Sequence, residues 1–275
     1  MNVVIYSLLL ALGLGLFFGF FLVFSFKKLA VHEDPRVEKI LEILPGANCG
    51  ACGYAGCADY AEALASGKET NVGKCAPGGQ EVADQISQFL GLSVVSVTKL
   101  VAKVMCNGSK ENATRRANYN GIESCRVAEF TLKGDKGCVY GCLGFGDCVK
   151  ACPFGAMYMG EDGLPKVIEE RCTACGKCVE ACPRNIIELV PVDRKVFVFC
   201  KSLDRGPVAK SHCKVACIGC GLCVKNAPEG SMKLENNLAY ILEPDKVDEV
   251  AEKVVGVCPT GAIAIDKKFA EVKVY

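Results

Sequence analysis

The chain begins with an apolar stretch whose length suits a membrane. Residues 3–26 carry no charged side chain, and as a helix they would cross the roughly 30 Å of a bilayer interior. Lys27 and Lys28 follow directly, whereas no charged side chain precedes the stretch. A cleaved export signal would have a charged start, a shorter apolar part and a small-residue cleavage site. The pattern therefore predicts one transmembrane helix in the cytoplasmic (inner) membrane, with the rest of the chain in the cytoplasm.

Short amphipathic helices follow the apolar stretch. Asp34 is suited to cap a helix and Pro35 to begin it. Apolar residues then recur at helical spacing on one face: Val37, Ile40, Leu41 and Leu44. Two further helices are predicted at about 58–66 and 80–90. A unit of this size buries little apolar surface, so we expect a bound metal group to stabilise it.

From residue 94 onward the pattern changes to short strands and turns, and the chain repeats itself. Four segments align: ACPFGAMYM at 151, ACPRNIIEL at 181, NAPEGSMKL at 226 and VCPTGAIAI at 257. A second pair, VAKVMC at 101–106 and KVFVFC at 195–200, has the alternation of a strand that runs into a cysteine. The repeats predict an α+β architecture in this half of the chain.

Cysteine is the outstanding feature of the composition, with twenty among 275 residues. In a reducing cytoplasm, clustered thiols are expected to bind metals and not to form disulfides. The formal net charge of +1 is small, and no nucleic-acid partner is expected. The spacing of the cysteines therefore indicates which kind of metal group they bind.

One stretch has a spacing specific to iron-sulfur proteins. Residues 172–183, CTACGKCVEACP, follow the pattern C-x2-C-x2-C-x3-C-P of bacterial ferredoxins. In that pattern three thiolates hold one [4Fe-4S] cluster and the fourth reaches a second cluster. Structural zinc sites often add histidines, and the chain has only His32 and His212, neither of which is expected to be a ligand.

Sorting the thiols into fours predicts five [4Fe-4S] clusters. Reciprocal pairing gives one site from Cys138, Cys142, Cys148 and Cys182, and another from Cys152, Cys172, Cys175 and Cys178. Ala227 stands where a cysteine would have reached a neighbouring cluster, and the closing repeat has no triplet of its own. A third site therefore combines Cys217, Cys220 and Cys223 with Cys258. The motif at 48–57 with one later cysteine gives the fourth: Cys49, Cys52, Cys57 and Cys75.

The fifth predicted site rests on counting and on the repeat. It takes the cysteines that remain, two near each of the paired strand segments: Cys106, Cys125, Cys200 and Cys213. The alternative is that these four are unpaired thiols in the core or on the surface. No known motif decides between the two interpretations.

These patterns together divide the chain into five parts. A transmembrane anchor at 1–28 precedes a small helical [4Fe-4S] domain at 29–92. A connecting segment with two cysteines follows at 93–136, then a two-cluster ferredoxin-like domain with βαβ repeats at 137–190 and a second ferredoxin-like domain at 191–275.

The predicted sites favour electron transfer over catalysis. A cluster held by four protein thiolates has no open position, so it passes electrons but binds no substrate. The chain has no G-x-G-x-x-G after a strand and no G-x-x-x-x-G-K-[ST] motif, and so no nucleotide or flavin site is predicted. No residue is expected to be catalytic, and the predicted function is that of a multi-cluster electron carrier.

The membrane helix, the LPGANCGACGYAGC motif and the ferredoxin repeats, in this order, resemble the B subunit of Rnf complexes. These complexes are membrane-bound ferredoxin:NAD oxidoreductases that pump sodium ions or protons. The resemblance covers essentially the whole chain, although a short form of the family ends after one two-cluster unit. It implies a non-catalytic subunit of a translocating enzyme that relays electrons from soluble ferredoxin to membrane and NAD-reducing partners.

The resemblance also suggests a direction of electron flow. Ferredoxin would dock on the 138–258 region, with four lysines among the ligands available for an acidic partner: Lys150, Lys177, Lys214 and Lys225. The site that includes Cys49 follows the helix that spans the membrane lipid, and it would pass electrons to a membrane-embedded partner. Two alternatives remain: an adapter for another membrane enzyme such as a hydrogenase, and a structural zinc-binding protein.

Overall fold

A computed structural model describes residues 2–29, 34–93 and 96–266, so that His32 lies outside the described residues. Its first element, α1 (Asn2–Leu29), is a continuous helix. The large apolar side chains of α1 from Ile5 to Phe26 are exposed, and Ile5–Lys28 is long and apolar enough to cross a membrane. The predicted N-terminal helix is confirmed.

Three helices and a short turn form the small domain that follows. They are α2 (Pro35–Ile43), α3 (Cys57–Ala65), a 3-10 turn at Val72–Lys74, and α4 (Gly79–Leu90). The Asp34 carboxylate accepts the N–H of Arg36 and so caps α2, as its position before Pro35 predicts. Ile40 packs with Tyr60 and Ile86 in a core that water does not reach.

The first ferredoxin-like unit has two antiparallel pairs of strands. Its elements are β1 (Leu100–Val104), α5 (Cys125–Leu132), α6 (Asp147–Lys150), β2 (Met157–Met159), β3 (Pro165–Val167), α7 (Lys177–Ala181) and β4 (Ile187–Pro191). The first strand pairs with the last, with Ala102 opposite Leu189, and β2 pairs with β3. Residues 100–104, placed by sequence in a connecting segment, thus complete the sheet of this unit.

The second unit repeats this arrangement. Its elements are β5 (Val196–Val198), α8 (Gly206–His212), α9 (Leu222–Asn226), β6 (Met232–Glu235), β7 (Leu238–Ile241), α10 (Pro244–Glu249), α11 (Ala251–Gly256) and β8 (Ile263–Ile265). The first strand again pairs with the last, and β6 pairs with β7. The internal repeat of the sequence is therefore a repeat of strand pairing.

The two units pack directly on each other. Phe197 of β5 is fully buried against Val101 and Val190 of the first unit. The Lys103 ammonium lies 2.8 Å from the Glu169 carboxylate and also binds Asp266, near the end of the second unit. An apolar contact and an ion pair thus fix the orientation of one unit relative to the other.

Candidate metal centres

All twenty cysteines are free thiols, and all lie in the described part of the chain. They lie in five groups of four, which we call sets A to E. Set A is Cys49, Cys52, Cys57 and Cys75. Set B is Cys152, Cys172, Cys175 and Cys178, set C is Cys125, Cys142, Cys148 and Cys182, and set D is Cys106, Cys138, Cys200 and Cys213. Set E is Cys217, Cys220, Cys223 and Cys258.

Set A is built by the loop before α3 and by the 3-10 turn. Asn48, in the left-handed region at φ 45°, accepts the N–H of Cys57 at 2.8 Å and so closes the loop over its own motif. Burial, followed by the charges of Cys57, Cys49 and Cys52, raises the pKa of Cys75. The thiols are thus close enough to act on one another, as the sequence predicts.

Glu69 stabilises the segment that leads to Cys75. Its Oε1 accepts the N–H groups of Thr70 and Asn71 at 3.0 and 2.9 Å. Its Oε2 accepts the hydroxyl of Tyr54 at 3.1 Å and pairs with the Lys74 ammonium. The bond from Lys74 is the main reason that the pKa of Glu69 is lowered to about 2. A carboxylate that is ionised at neutral pH therefore stabilises the turn before Cys75 through these hydrogen bonds.

Set B combines the Cys-Pro cysteine of the first repeat with the triplet of the second. Its four sulfurs line one small cavity under β1 and β2. Burial, followed by the charges of Cys172, Cys175 and Cys152, raises the pKa of Cys178 to about 12. The N–H groups of Ala102 and Ala156 lie 3.3 Å from the sulfurs of Cys172 and Cys152. The site therefore already supplies donors for negatively charged sulfur.

Set C takes one ligand from a helix inserted before the motif. Asp147 Oδ2 accepts the Ser124 hydroxyl at 2.8 Å and the Arg126 N–H at 3.1 Å, so the start of α5 is fixed to α6. Cys125 thereby lies beside Cys148 in a small shared cavity. Burial and the charges of Cys125 and Cys182 raise the pKa of Cys148 to about 12.

Set D lies where the two ferredoxin-like units meet. Its four cysteines line a cavity walled by Phe199, Val215 and Ala216. An isolated β-bridge joins Ala113 to Cys213, and the Gly137 N–H donates to Thr114 at 2.7 Å. The segment at 113–114 thereby holds the loop before Cys138 close to the end of α8.

The structure differs from the sequence-based grouping in one exchange. Cys138, expected with Cys142, lies in set D, and Cys125, expected in the fifth group, lies in set C. The cause is long-range: Asp147 fixes α5 beside α6, and the bond to Thr114 draws the 137–138 loop towards Cys213. Sequence reasoning had one usable signal. When the ferredoxin spacing is aligned on Cys148, its middle position is Phe145, and Cys138 lies outside the motif.

Set E has the composition expected from the sequence. Cys258 of the closing repeat lies with the triplet, and the charges of the other three members, after burial, raise the pKa of Cys223 to about 11. Ala227 packs against the same core and supplies no sulfur. Cys220 is the one exposed member of the twenty cysteines.

The form of the sets fits a cluster better than a single ion. Among the described residues, no three His, Cys, Asp or Glu side chains are arranged so that they could hold one metal ion. The sulfurs instead surround a space. A Cβ on Gly141 would lie 3.5 Å from the sulfurs of Cys106 and Cys138, and one on Gly108 would lie 3.3 Å from Cys106. Four thiols around a space that glycines keep open are suitable ligands for a [4Fe-4S] cluster.

The sets follow one another in a row. The charge of Cys49 in set A contributes, after burial, to the raised pKa of Cys175 in set B, and a cleft of about 930 Å³ lies between these domains. The charge of Cys178 likewise raises the pKa of Cys148 in set C. Sets A, B and C are thus consecutive neighbours.

The row continues into the second unit. The N–H of Cys142 in set C donates to the sulfur of Cys106 in set D at 3.3 Å. Burial is the main reason that the pKa of Cys200 in set D rises to about 11, and the charge of Cys217 in set E adds to the rise. The spatial order is therefore A, B, C, D, E, with set D as the connection between the units.

The remaining candidate residues lie at the edges of this row. The His212 ring lies near Gly137 and does not line the set D cavity. Lys150 binds the Glu123 carbonyl at 3.2 Å, and Lys177 pairs with Glu180 at 3.0 Å. Lys214 and Lys225, close in sequence to the set E triplet, are exposed and form no ion pair within the described residues.

Three family models match the chain. A model for an Fe-S cluster matches residues 44–77, a 4Fe-4S dicluster domain matches residues 137–187, and a 4Fe-4S single cluster domain matches residues 214–265. The first range contains set A, the second contains set B, and the third contains set E. Four cysteines of sets C and D lie outside all three ranges: Cys106, Cys125, Cys200 and Cys213.

Curated relatives extend along nearly the whole chain. It is 42% identical over 264 residues to the B subunit of an ion-translocating oxidoreductase complex of Methanosarcina acetivorans, covering 96% of this chain and 99% of that protein. It is 42% identical to the B subunit of the Na(+)-translocating ferredoxin:NAD(+) oxidoreductase complex of Acetobacterium woodii, covering 95% and 78%. It is also 42% identical to the B subunit of the proton-translocating ferredoxin:NAD(+) oxidoreductase complex of Clostridium ljungdahlii, covering 96% and 93%.

Proposed function

The chain belongs to the family of B subunits of ion-translocating ferredoxin:NAD oxidoreductase complexes, and on that basis we propose that it relays electrons from reduced ferredoxin to its membrane partners. It is an iron-sulfur electron-transfer subunit, anchored to the membrane by α1, of an oxidoreductase complex that moves ions. Its partners are the other subunits of that complex.

Five [4Fe-4S] clusters are proposed, one in each of sets A to E. Each bound cluster would take up and pass on one electron at a time, while the protein would supply the ligands and the surroundings of the cluster. The protein supplies four sulfurs at each site and excludes water, since every cysteine except Cys220 is buried or half-buried. The domain bounds inferred from the sequence are retained as proposals, with β1 forming the edge of the first ferredoxin-like unit.

The row of sets is the single observation that carries the proposal. Each set touches or electrostatically influences the next, from set E at the far end of the chain to set A in the domain that follows the membrane helix. Clusters in neighbouring sets could exchange electrons, whereas clusters that only stabilise the fold would not need to be neighbours. The arrangement supports an electron-transfer chain that begins at one end set and finishes at the other.

The set E end is proposed as the place where ferredoxin docks. Cys220 is the exposed thiol of the row, and Leu222 and Leu234 nearby are 41% and 43% exposed. Lys214 and Lys225 are exposed in the same part of the chain. Exposed apolar side chains with exposed lysines close by in sequence suit a partner that is acidic and presents its own cluster close to its surface.

The set A end is proposed to face the membrane partners. Cys49 follows Leu29, the last residue of α1, by only twenty residues. Lys27 and Lys28 at the end of α1 favour the cytoplasmic side for everything that follows. Electrons would then leave the chain next to the bilayer, where membrane-embedded subunits can accept them.

Purification of the intact complex under anaerobic conditions tests the proposal. The subunits that copurify identify the parent enzyme and separate the proposed role from that of an adapter for a hydrogenase. The rate at which reduced ferredoxin bleaches the visible absorbance then measures docking. Lys214→Glu combined with Lys225→Glu should lower the second-order rate at least tenfold at low salt, with less effect at high salt.

Lys177→Glu is the matched control for docking. This lysine lies next to set B and has the same charge, but it is already paired with Glu180. Its replacement should leave the rate of reduction by ferredoxin nearly unchanged. Equal losses in the two variants would indicate a general charge effect and would argue against docking at set E.

A further inference from the structure

Lys136 is a buried cation beside set D. The residue is only 5% exposed, and its ammonium donates to the Gly108 carbonyl at 2.8 Å. No carboxylate among the described residues pairs with it. The adjacent Asp135 is directed to Arg115, at 2.6 Å. The chain thus places a charged side chain in its interior without giving it an acidic partner.

Such a charge needs an anion. Burying an ammonium without a counter-charge is strongly unfavourable, and proteins normally pair it or neutralise it. Lys136 lines the same cavity as the four sulfurs of set D. Its charge opposes the rise in pKa that burial causes in Cys213 of set D, and it also reaches Cys142 of the neighbouring set C. Thiolates that hold a cluster would therefore be the missing anion.

Cations close to the other sets are already neutralised or exposed. Arg184, beside sets C and D, pairs with Glu129 at 2.7 Å. Lys74 of the set A domain pairs with Glu69, and Lys177 next to set B pairs with Glu180. Among the described residues, Lys136 beside set D is the one buried lysine or arginine, and no carboxylate pairs with it.

Set D also has several hydrogen-bond donors. The N–H groups of Gly108 and Cys142 each lie 3.3 Å from the sulfur of Cys106. The Ser202 N–H lies 3.4 Å from the sulfur of Cys200. Donors to cluster sulfur and nearby positive charge both favour the reduced, more negative form of a cluster.

We propose that the fixed positive charge of Lys136 sets the reduction potential of the site at set D above those of its neighbours, sets C and E. The proposal rests on the proposed function, because it requires a cluster at set D. Reduction adds one electron, supplied by reduced ferredoxin, to a site whose net charge Lys136 has made less negative. Set D, the connection between the two units, would therefore be the first of these three sites to be reduced.

A redox titration of the anaerobic complex followed by electron paramagnetic resonance tests the proposal. Lys136→Met keeps the length of the side chain and removes its charge. We expect the iron content to stay at the wild-type value and one midpoint to fall. At a fixed potential the reduced-to-oxidised ratio of that site should drop at least tenfold, which corresponds to about 59 mV for one electron. The midpoints of sets A, B and E should remain in place, and that of set C should move less than that of set D, because Lys136 lines the set D cavity but also reaches Cys142.

Two further variants separate charge from packing. Lys136→Arg keeps the charge, so its midpoint should stay near that of the wild type. Lys150→Met removes an exposed lysine and should shift no midpoint. If Lys136→Met loses set D iron while Lys136→Arg keeps both the iron and the potential, the role of the charge is supported. Loss of the iron in both variants would show that Lys136 only supports the loop, and would overturn the proposal.

The outcomes also separate this proposal from the one on which it rests. A wild-type iron content near sixteen, unchanged by Cys106→Ala, would remove the fifth cluster and the inference with it, but leave the other four standing. A content near twenty, with no midpoint shift in Lys136→Met, would refute the role of Lys136 alone.

Discussion

The guanidinium of Arg184 lies against the carboxylate of Glu129, with Nε 2.7 Å from Oε2. The same guanidinium donates through Nη1 to the carbonyls of Gly141 and Cys138, at 2.6 and 3.2 Å. One side chain therefore connects α5, which begins at a ligand of set C, with the loop that carries a ligand of set D.

Replacement of Arg184 should weaken both sets. Arg184→Leu leaves Glu129 with only the exposed Lys133 as an ion-pair partner and removes the donor to the Gly141 and Cys138 carbonyls. Because the Arg184 side chain is only 4% exposed, this loss should cost roughly 3 kcal/mol. Anaerobic heating followed by iron analysis should show earlier loss of sets C and D, about eight irons, than of the others. Lys177→Leu breaks an exposed pair and is the control. Equal behaviour of both variants would contradict the connecting role.

Pairs of cysteine variants test the exchange between sets C and D. Cys125→Ala with Cys142→Ala removes two ligands of one set, so the iron content should fall by about four per chain. Cys125→Ala with Cys106→Ala affects two sets and should remove about eight. The original sequence-based grouping predicts the opposite pattern, so iron analysis of the two double variants decides between them.

The cluster proposed at set E should depend on Cys258. Cys258→Ala leaves a triplet that cannot complete four thiolates, and about four irons per chain should be lost. Ala227→Cys in this background tests whether position 227 can replace it. We expect no recovery, because a cysteine at this position of the ferredoxin pattern reaches a different cluster and not the one held by the preceding triplet. Full recovery of iron would show that the closing repeat is dispensable.

The Glu69 network should make the set A domain sensitive to acid. The pKa of Glu69 is about 2 in the folded domain, below the roughly 4.3 of an unfolded glutamate. Its stabilising effect is complete above the unfolded value and is lost as pH falls towards the folded one. Glu69→Gln should lose set A iron at a lower temperature than the wild type at neutral pH.

The pH dependence provides the decisive comparison for Glu69. The difference between Glu69→Gln and the wild type should be constant from about pH 8 to about pH 5.5 and should narrow below roughly pH 4.3. Below this range the readout is thermal unfolding and not iron content, because acid itself destroys iron-sulfur clusters. Glu62→Gln, on the exposed side of α3, should match the wild type throughout. If the difference between Glu69→Gln and the wild type stayed constant down to about pH 3, the charge of the Glu69 carboxylate would not be what stabilises the domain.

Loss of set A should interrupt delivery of electrons and not their uptake. Cys57→Ala removes a ligand from the domain nearest α1, while set E is untouched. Reduced ferredoxin should still bleach the remaining clusters at the wild-type rate, whereas ferredoxin-dependent NAD reduction by the whole complex should stop. NAD reduction at the wild-type rate would mean that set A only stabilises its small domain.

Local chemistry explains what the sequence predicts well. Asp34 before Pro35 determines where α2 begins, and the motif spacings bring together sets A, B and E. The exchange of Cys125 and Cys138 depends on contacts between residues distant in sequence, above all Asp147 with the start of α5. The burial of Lys136 could not be predicted from the sequence either, because no local pattern distinguishes it from an exposed lysine.

The ligands of set D come from both ferredoxin-like units, from residue 106 to residue 213. During synthesis the N-terminal parts of a chain leave the ribosome first and can fold first. Set A is complete once residue 75 has emerged, but set D cannot form until α8 has docked on the first unit. Sets A, B and C are therefore complete once residue 182 has emerged, whereas set D waits for α8 and set E waits for Cys258. Maturation factors that insert iron would meet sets D and E only in a nearly finished protein.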